Sequence, residues 1–380
     1  MQYGNEIRSL TGIRGIAACY VMLYHYSVGS LQGPALRVLQ HGYLSVDLFF
    51  VLSGFVMAMT YGSSFRQAPT LRGYMDFLQK RLARVYPLYI VITVSAALLI
   101  HARAMEGVWP TVSIVTANAL LVQAWGFTAS LCGPSWSIST EFAAYLFFPF
   151  IVGAVVFGAP WWRRFAMTAG VLLLLYVVTR TSSQLHFDAA DSSQRHGPLD
   201  IYAPGTIFPL LRCFAEFVMG VATFPFVRSL SFTGKYWGPV TDGLTLLVLA
   251  LLLWPRTDFA IAVLFVPLVG LLYAERGYAV RLLQNRVSHW LGLVSYSIYM
   301  DHFVIHELLG KPIRDWMTNR HMGHVAVIRG LLLVTIALFA ATLTYYGIEK
   351  PARQYLRRGP RLPASGGRAD KLLAAEPSAP

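Results

Sequence analysis

Charge is the scarcest property of this sequence. Only 13% of its 380 residues are charged, against about 25% in a typical soluble domain. That deficit excludes a water-solvated globular fold for most of the chain and points to lipid as the solvent. Cysteine is nearly absent, at three residues: Cys19, Cys132 and Cys213. They lie far apart in or beside apolar stretches with no C-x-x-C pair, so neither a zinc site nor a disulfide framework is expected. No repeat of 20–50 residues is evident, and the longest polar connection, 181–202, is too short for a separate domain. Acidic residues are outnumbered 18 to 31 by lysine and arginine, giving a net charge of +13. In a soluble chain such an excess would suggest nucleic acid. Here no nucleic acid is expected, because basic residues collect in cytoplasmic loops against anionic lipid.

What the chain has is apolar and aromatic residues, 56% and 14% of the total, the second as expected where rings line membrane interfaces. A membrane helix needs about 20 mainly apolar residues. Ten segments qualify: roughly 10–28, 44–61, 85–101, 137–158, 165–179, 203–226, 239–255, 259–275, 289–309 and 326–346. The first lacks a small-residue cleavage site and reads as a retained helix rather than a signal peptide. An eleventh stretch, "TVSIVTANALLVQAWGF" (111–127), is shorter and carries Asn118 and Gln123. If it does not cross, most lysines and arginines fall on the cytoplasmic side with both termini inside; if it crosses, the basic loops "WWRRF", "RSLSFTGK" and "ERGYAVRLLQNR" all face out. The positive-inside rule therefore predicts an all-α polytopic membrane helix bundle of about ten spans, with 111–127 re-entrant or interfacial. Residues 1–358 form one integral membrane domain, and 359–380, rich in Pro, Gly, Ala and Ser, read as a disordered cytoplasmic tail.

The chemistry should lie where polar side chains interrupt these helices. In "LTGIRGIAACYVMLYHYS" (10–27), Arg14 and His25 are eleven residues apart, which puts them on one helix face about 16 Å apart along the axis. Arg14 would stand near the cytoplasmic boundary and His25 deep in the bundle. Each also has a plainer reading, a snorkelling arginine and a hydrogen-bonded core histidine. In "QKRLARVYPLY" (79–89), Arg81 and Arg84 share a face. Paired guanidiniums suit phosphate oxygens, although taken alone plain positive-inside anchoring is the better reading of the pair. Asp47 opens the second span, where it is placed to orient an imidazole, to pair with a cation or to cap the helix. Ser53-Gly54 in the same span permits close helix approach. In "CGPSWSISTEFAAYLFFPF" (132–150), Ser135, Ser137 and Ser139 precede Glu141, and Tyr145 follows it by one turn. Glu141 needs a partner if buried. Trp136 is either a flat wall on which a sugar stacks or a member of the aromatic belt. Arg212 and Glu216 form an i,i+4 pair of structural appearance. "LGLVSYSIYMDHFVIHELL" (291–309) adds Asp301, His302 and His306; the two histidines are one turn apart, but no third ligand is evident, so no metal is expected.

Taken together, Arg14-x10-His25, "VDLFFVLSGF" (46–55), Arg81-x-x-Arg84, "PSWSISTEF" (134–142), "SYSIYMDH" (295–302) and "GIEKPAR" (347–353) resemble, in order, the acyltransferase-3 family of multipass bacterial membrane proteins. The chain is similar to the stand-alone exopolysaccharide and lipopolysaccharide O-acetyltransferases. Asp301 departs from the pattern, which usually has an apolar residue there. The resemblance implies a bacterial inner-membrane enzyme with acyl-CoA, acetyl-CoA above all, as cytoplasmic donor and a saccharide or lipid-linked saccharide as acceptor. It implies His25 as catalytic and the arginines, Arg14, Arg81 and Arg84, as donor-binding. Asp47 and Glu141 are then candidate partners in catalysis, and Trp136, Ser137, Tyr145 and His302 candidate acceptor contacts. The chemistry agrees: a hydroxyl attacks a thioester only when a base takes its proton, and imidazole, with a pKa of about 6.5, is suited to that. A flippase for a lipid-linked sugar is the competing reading, weakened by the lack of an internal repeat; a membrane sensor is a third.

Overall fold

A computed structural model describes residues 6–27, 34–66, 70–103, 110–184, 196–201, 205–322 and 324–357. The expected tail at 359–380 lies outside them. Among the described residues the regular structure is entirely helical. The helices are α1 (Arg8–Ser27), α2 (Pro34–Gln40), α3 (Ser45–Tyr61), α4 (Leu71–Arg103), α5 (Val112–Ala119), α6 (Trp136–Val152) and α7 (Pro160–Gln184), followed by α8 (Phe208–Ser229), α9 (Trp237–Leu251), α10 (Asp258–Tyr273), α11 (Tyr278–Gln284), α12 (Arg286–Asn319), α13 (Val325–Thr344) and α14 (Lys350–Arg357).

Each of the ten apolar segments coincides with a helix, but fewer meet the requirements for crossing. Six helical stretches among the described residues are long and apolar enough, and a seventh if α10 and α11, bent by 76°, form one broken span. The count of ten depends on adding α1, α9 and α12. α9 has only 15 residues, while α1 and α12 carry the ionisable groups described below. Large apolar side chains face outward on the spanning helices, for example Phe150, Phe226, Leu331 and Phe339, each more than 60% exposed. Such an apolar surface is what lipid solvates, and the chain is a multipass membrane protein.

The stretch 111–127 does not form a continuous helix. α5 has eight residues, about 12 Å of rise, against about 30 Å of hydrocarbon. Just past its end Leu121 is left-handed at φ 60°, and Gly126 at φ 96° turns the chain again. The helices on either side, α4 and α6, run antiparallel. Tyr74 bonds to the Leu146 carbonyl at 3.0 Å, and further along Gln123 joins Tyr89 (3.2 Å) to the Ser135 carbonyl (3.3 Å). The polar groups are covered by protein, as non-helical backbone at membrane depth requires. Asn118 bonds to the Ile114 and Ala129 carbonyls and to the Leu131 N–H, at 2.9, 3.1 and 3.0 Å.

Two close helix pairs form the interior. α1 and α12 run parallel and touch through backbone at Gly15 and Gly292; a Cβ on Gly292 would lie 2.1 Å from the Thr11 carbonyl. α3 and α8 do the same at Gly54 and Gly220, where added Cβ atoms would meet the carbonyls of Phe217 and Val51 at 2.0 and 2.1 Å. The Ser53-Gly54 break thus does what its small size suggested. In lipid, where apolar burial gives helices little reason to associate, such contacts let backbones approach closely. The first pair brings His25 to His302, and the second brings Asp47 to Arg212.

Candidate active site

Between α1, α3, α4, α6 and α12 lies a cavity of about 120 Å³. Arg14, Arg81, Arg84, Glu141, Tyr145 and Tyr299 line it, with Ser53, Ser137, Ser295 and apolar residues of α3. α4 supplies two guanidiniums from one face, ahead of Pro87, which cannot donate to the preceding turn. Arg81 donates to the Tyr145 hydroxyl, lies over that ring at 4.4 Å and stands 3.9 Å from Glu141. Glu141 also accepts from the Ser53 hydroxyl. Arg14 reaches Ser295 at 3.3 Å. The cavity therefore presents three guanidiniums and one carboxylate to a guest, an arrangement that favours an anion.

The histidines sit further along α1 and α12. His25 Nδ1 lies 2.8 Å from the Val21 carbonyl, and His302 Nδ1 lies 3.2 Å from the Ile298 carbonyl. A carbonyl only accepts, so each Nδ1 carries its proton. In the neutral rings both Nε2 atoms then hold lone pairs. His302 Nε2 is 3.3 Å from His25 Nδ1, so the His25 N–H is shared between Val21 and His302, leaving His25 Nε2 as the available base. Neither histidine is among the cavity-lining residues. Tyr299 and Phe49 line the cavity, and the Tyr299 ring lies 6.0 Å from His302. The Tyr299 hydroxyl is fastened to Ser137 (2.8 Å) and the Pro134 carbonyl (3.0 Å). Tyr299 thus stands between the arginine cavity and the histidine pair.

Two expected site residues are placed elsewhere. Asp47 does not meet an imidazole: both its oxygens accept from Arg212, one at 2.8 Å. Of the readings open to it, pairing with a cation is the one the fold adopts. The reason is proximity in the α3–α8 pair and the need of a fully buried guanidinium for a counter-charge. Trp136 is absent from the cavity lining. Its ring carries the Arg212 guanidinium at 5.4 Å and meets Phe50 edge-on at 6.0 Å. Glu216 completes this cluster, 4.0 Å from Arg212. Asp301, the departure from the motif, accepts from Thr344 at 2.6 Å and ties α12 to α13. His306 stacks on Tyr26 at 5.6 Å and lies 3.7 Å from Glu307.

Sequence reasoning did not find the groups that face His25 from the other end of the bundle. Tyr24, whose ring lies 4.9 Å from that of His25, donates to Asp200 at 2.7 Å. Asp200 also accepts from the His196 backbone N–H at 3.0 Å. The segment 196–201 is held there because Arg212 bonds to the Leu199 carbonyl (2.7 Å) and Asp258 accepts from the Leu199 N–H (3.0 Å). Ser295 and Tyr299 were within a quoted motif, but their roles depend on contacts made across the bundle.

The acyltransferase-domain family profile matches residues 7–347. The chain is 28% identical to the acyltransferase MdmB of Streptomyces mycarofaciens over 93% of both chains. It is 33% identical to "Protein 2 in picA locus" of Rhizobium radiobacter over 43% of this chain and 87% of that protein. It is 21% identical to a Staphylococcus aureus (strain COL) protein named "Putative O-acetyltransferase", over 92% of this chain and 57% of that longer protein. No solved structure matches.

Proposed function

The chain belongs to the acyltransferase-3 family, and we propose that it moves an acyl group, acetyl by preference, from acyl-CoA to a hydroxyl of a cell-surface or lipid-linked saccharide. The observation that carries this reading is the succession of an arginine-lined cavity, Tyr299 and the His25–His302 pair along one bundle interior. Coenzyme A carries several phosphate charges, which Arg81, Arg84 and Arg14 would neutralise by charge-assisted bonds. The cavity is smaller than the roughly 300–1,000 Å³ of a typical ligand pocket, so it takes only part of the coenzyme: phosphate oxygens at its guanidiniums, with the adenosine outside a cytoplasmic mouth and the slender thioester arm leading on toward His25. The thioester passes Tyr299 to reach His25. There His25 Nε2 takes the proton of the acceptor hydroxyl as its oxygen attacks the thioester carbonyl. The C–S bond breaks, the coenzyme leaves as thiolate and is protonated, and an O-acyl ester forms. His302 accepts from His25 Nδ1–H and steadies the imidazolium, while Glu141 holds Arg81 and Ser53 in place. Ser137 acts through Tyr299 and Tyr145 through Arg81. In this scheme Asp47 and Trp136 support the Arg212 cluster rather than the reacting atoms. The enzyme sits in the bacterial inner membrane as about ten spans, counting α1, α9 and α12, with both termini cytoplasmic.

Donor binding tests the reading. Arg81→Ala and Arg84→Ala should each weaken acetyl-CoA affinity of the purified protein by about tenfold or more, at about 1.5–3 kcal/mol per charge-assisted bond, as read by calorimetry. Arg→Lys should lose less. A double alanine variant with unchanged coenzyme A affinity would leave the arginines as loop anchors and remove the donor site.

A further inference from the structure

Away from this cavity, a groove of about 910 Å³ opens between α7, α8, α9 and α10. Its walls are apolar: Met167, Phe226, Val227, Val266 and Leu271 among them. Its mouth is basic. Arg163 and Arg164 line it on α7, and the exposed Arg228 and Lys235 flank its wall residues on α8 and before α9. No aspartate or glutamate is among the lining residues. Arg163 is partly committed, donating to the Val155 and Val156 carbonyls at 3.0 Å each; Arg164 is exposed. Aromatic rings cluster at the same level. Trp161 stacks on Trp162 at 4.1 Å, and Phe232 meets Trp237 at 4.9 Å. Such rings mark the headgroup depth of a bilayer. These basic loops are the ones that the positive-inside rule puts in the cytoplasm.

We propose that this groove binds one anionic glycerophospholipid of the surrounding bilayer, its acyl chains against the apolar walls and its headgroup phosphate at Arg164, Arg163 and Arg228. An apolar slot between helices with a cationic, acid-free rim complements a phosphate-headed lipid. A protein partner would have to bring its own acids to a rim lying at headgroup depth, where anionic lipid is already present. The site is separate from the arginine cavity and does not depend on the acyl donor.

Native mass spectrometry of the purified full-length protein in detergent tests it, with phosphatidylglycerol and phosphatidylcholine of matched chains. One phosphatidylglycerol should be retained at least about tenfold more tightly than phosphatidylcholine, as expected for two or more headgroup–cation contacts. Arg164→Gln with Arg228→Gln should abolish that preference. Thr168→Trp, which fills the groove from an exposed position on α7, should abolish the adduct. The two arginines are exposed, so their variant decides the matter if the tryptophan variant does not fold. Equal retention of the two lipids, an unchanged preference without the arginines, or tighter retention of a polyprenyl phosphate than of phosphatidylglycerol would overturn the proposal.

Discussion

His25 has a single ring nitrogen left for proton transfer, because the Val21 carbonyl and His302 share the proton on the other. His302 is therefore a positioning residue, and its contribution should grow as His25 becomes charged. His302→Leu should lower kcat by about 10–100-fold, the worth of a hydrogen bond to a charged group, with donor affinity unchanged. His302→Gln should recover part of that loss, because an amide oxygen can accept from His25 Nδ1–H. Equal kcat values for the Leu and Gln variants would mean that His302 only fills space. Arg212 makes a different argument at the same scale. It is fully buried, donates to both oxygens of Asp47 and lies 4.0 Å from Glu216, whose carboxylate oxygens make no hydrogen bond among the described residues. Arg212→Met should cost about 3–5 kcal/mol, because it leaves buried charge uncompensated, and should appear as a lower melting temperature of the purified protein. Replacing Asp47 and Arg212 together by leucine should cost less than Arg212→Met alone, and a greater cost would argue against pairing as their role.

Among the elements, the connection through 111–127 decides the sidedness of everything after it. α4 and α6 are antiparallel, and α5 is too short to cross between them, so α7 begins on the side where α4 began. Arg164→Cys and Lys235→Cys should resist a membrane-impermeant maleimide in intact cells, while Asp315→Cys, at the opposite end, should react. Labelling of the first two would mean that the segment crosses. That 111–127 forms no continuous spanning helix was legible in the sequence, since the stretch is short and carries Asn118 and Gln123; the side taken by the basic loops is what the labelling decides. The positions of α1, α3, α8 and α12 were legible from apolarity, but their pairing was not. Glycine reports that a backbone can approach, not which one, and Gly15 meets Gly292 across 277 residues of chain.

At the scale of the whole molecule, five of the six quoted motif segments converge on one interior although they are scattered from residue 14 to residue 302. Arg14, Arg81, Arg84, Glu141, Ser137 and Tyr145 line one cavity, and His25 and His302 form one pair beyond it. Spacing within a helix predicted the shared faces. It did not predict Asp47 and Trp136 turning to Arg212, because a buried guanidinium takes whichever carboxylate the packing brings near. Nor did it give Asp200, which reaches Tyr24 only through a loop held down by Arg212 and Asp258. The account rests on His25 as the base of an acyl transfer, and one measurement bears on it most directly. Radiolabelled acyl transfer from acetyl-CoA to the surface polysaccharide is followed in membranes containing His25→Gln, with protein amount and coenzyme A affinity matched to wild type. Gln keeps a hydrogen-bonding group but cannot take a proton at neutral pH, and general-base catalysis supplies about 10²–10⁴-fold. Transfer should fall by that factor, nearly as far as in His25→Ala. Substantial turnover by the Gln variant would contradict the account and place the base elsewhere.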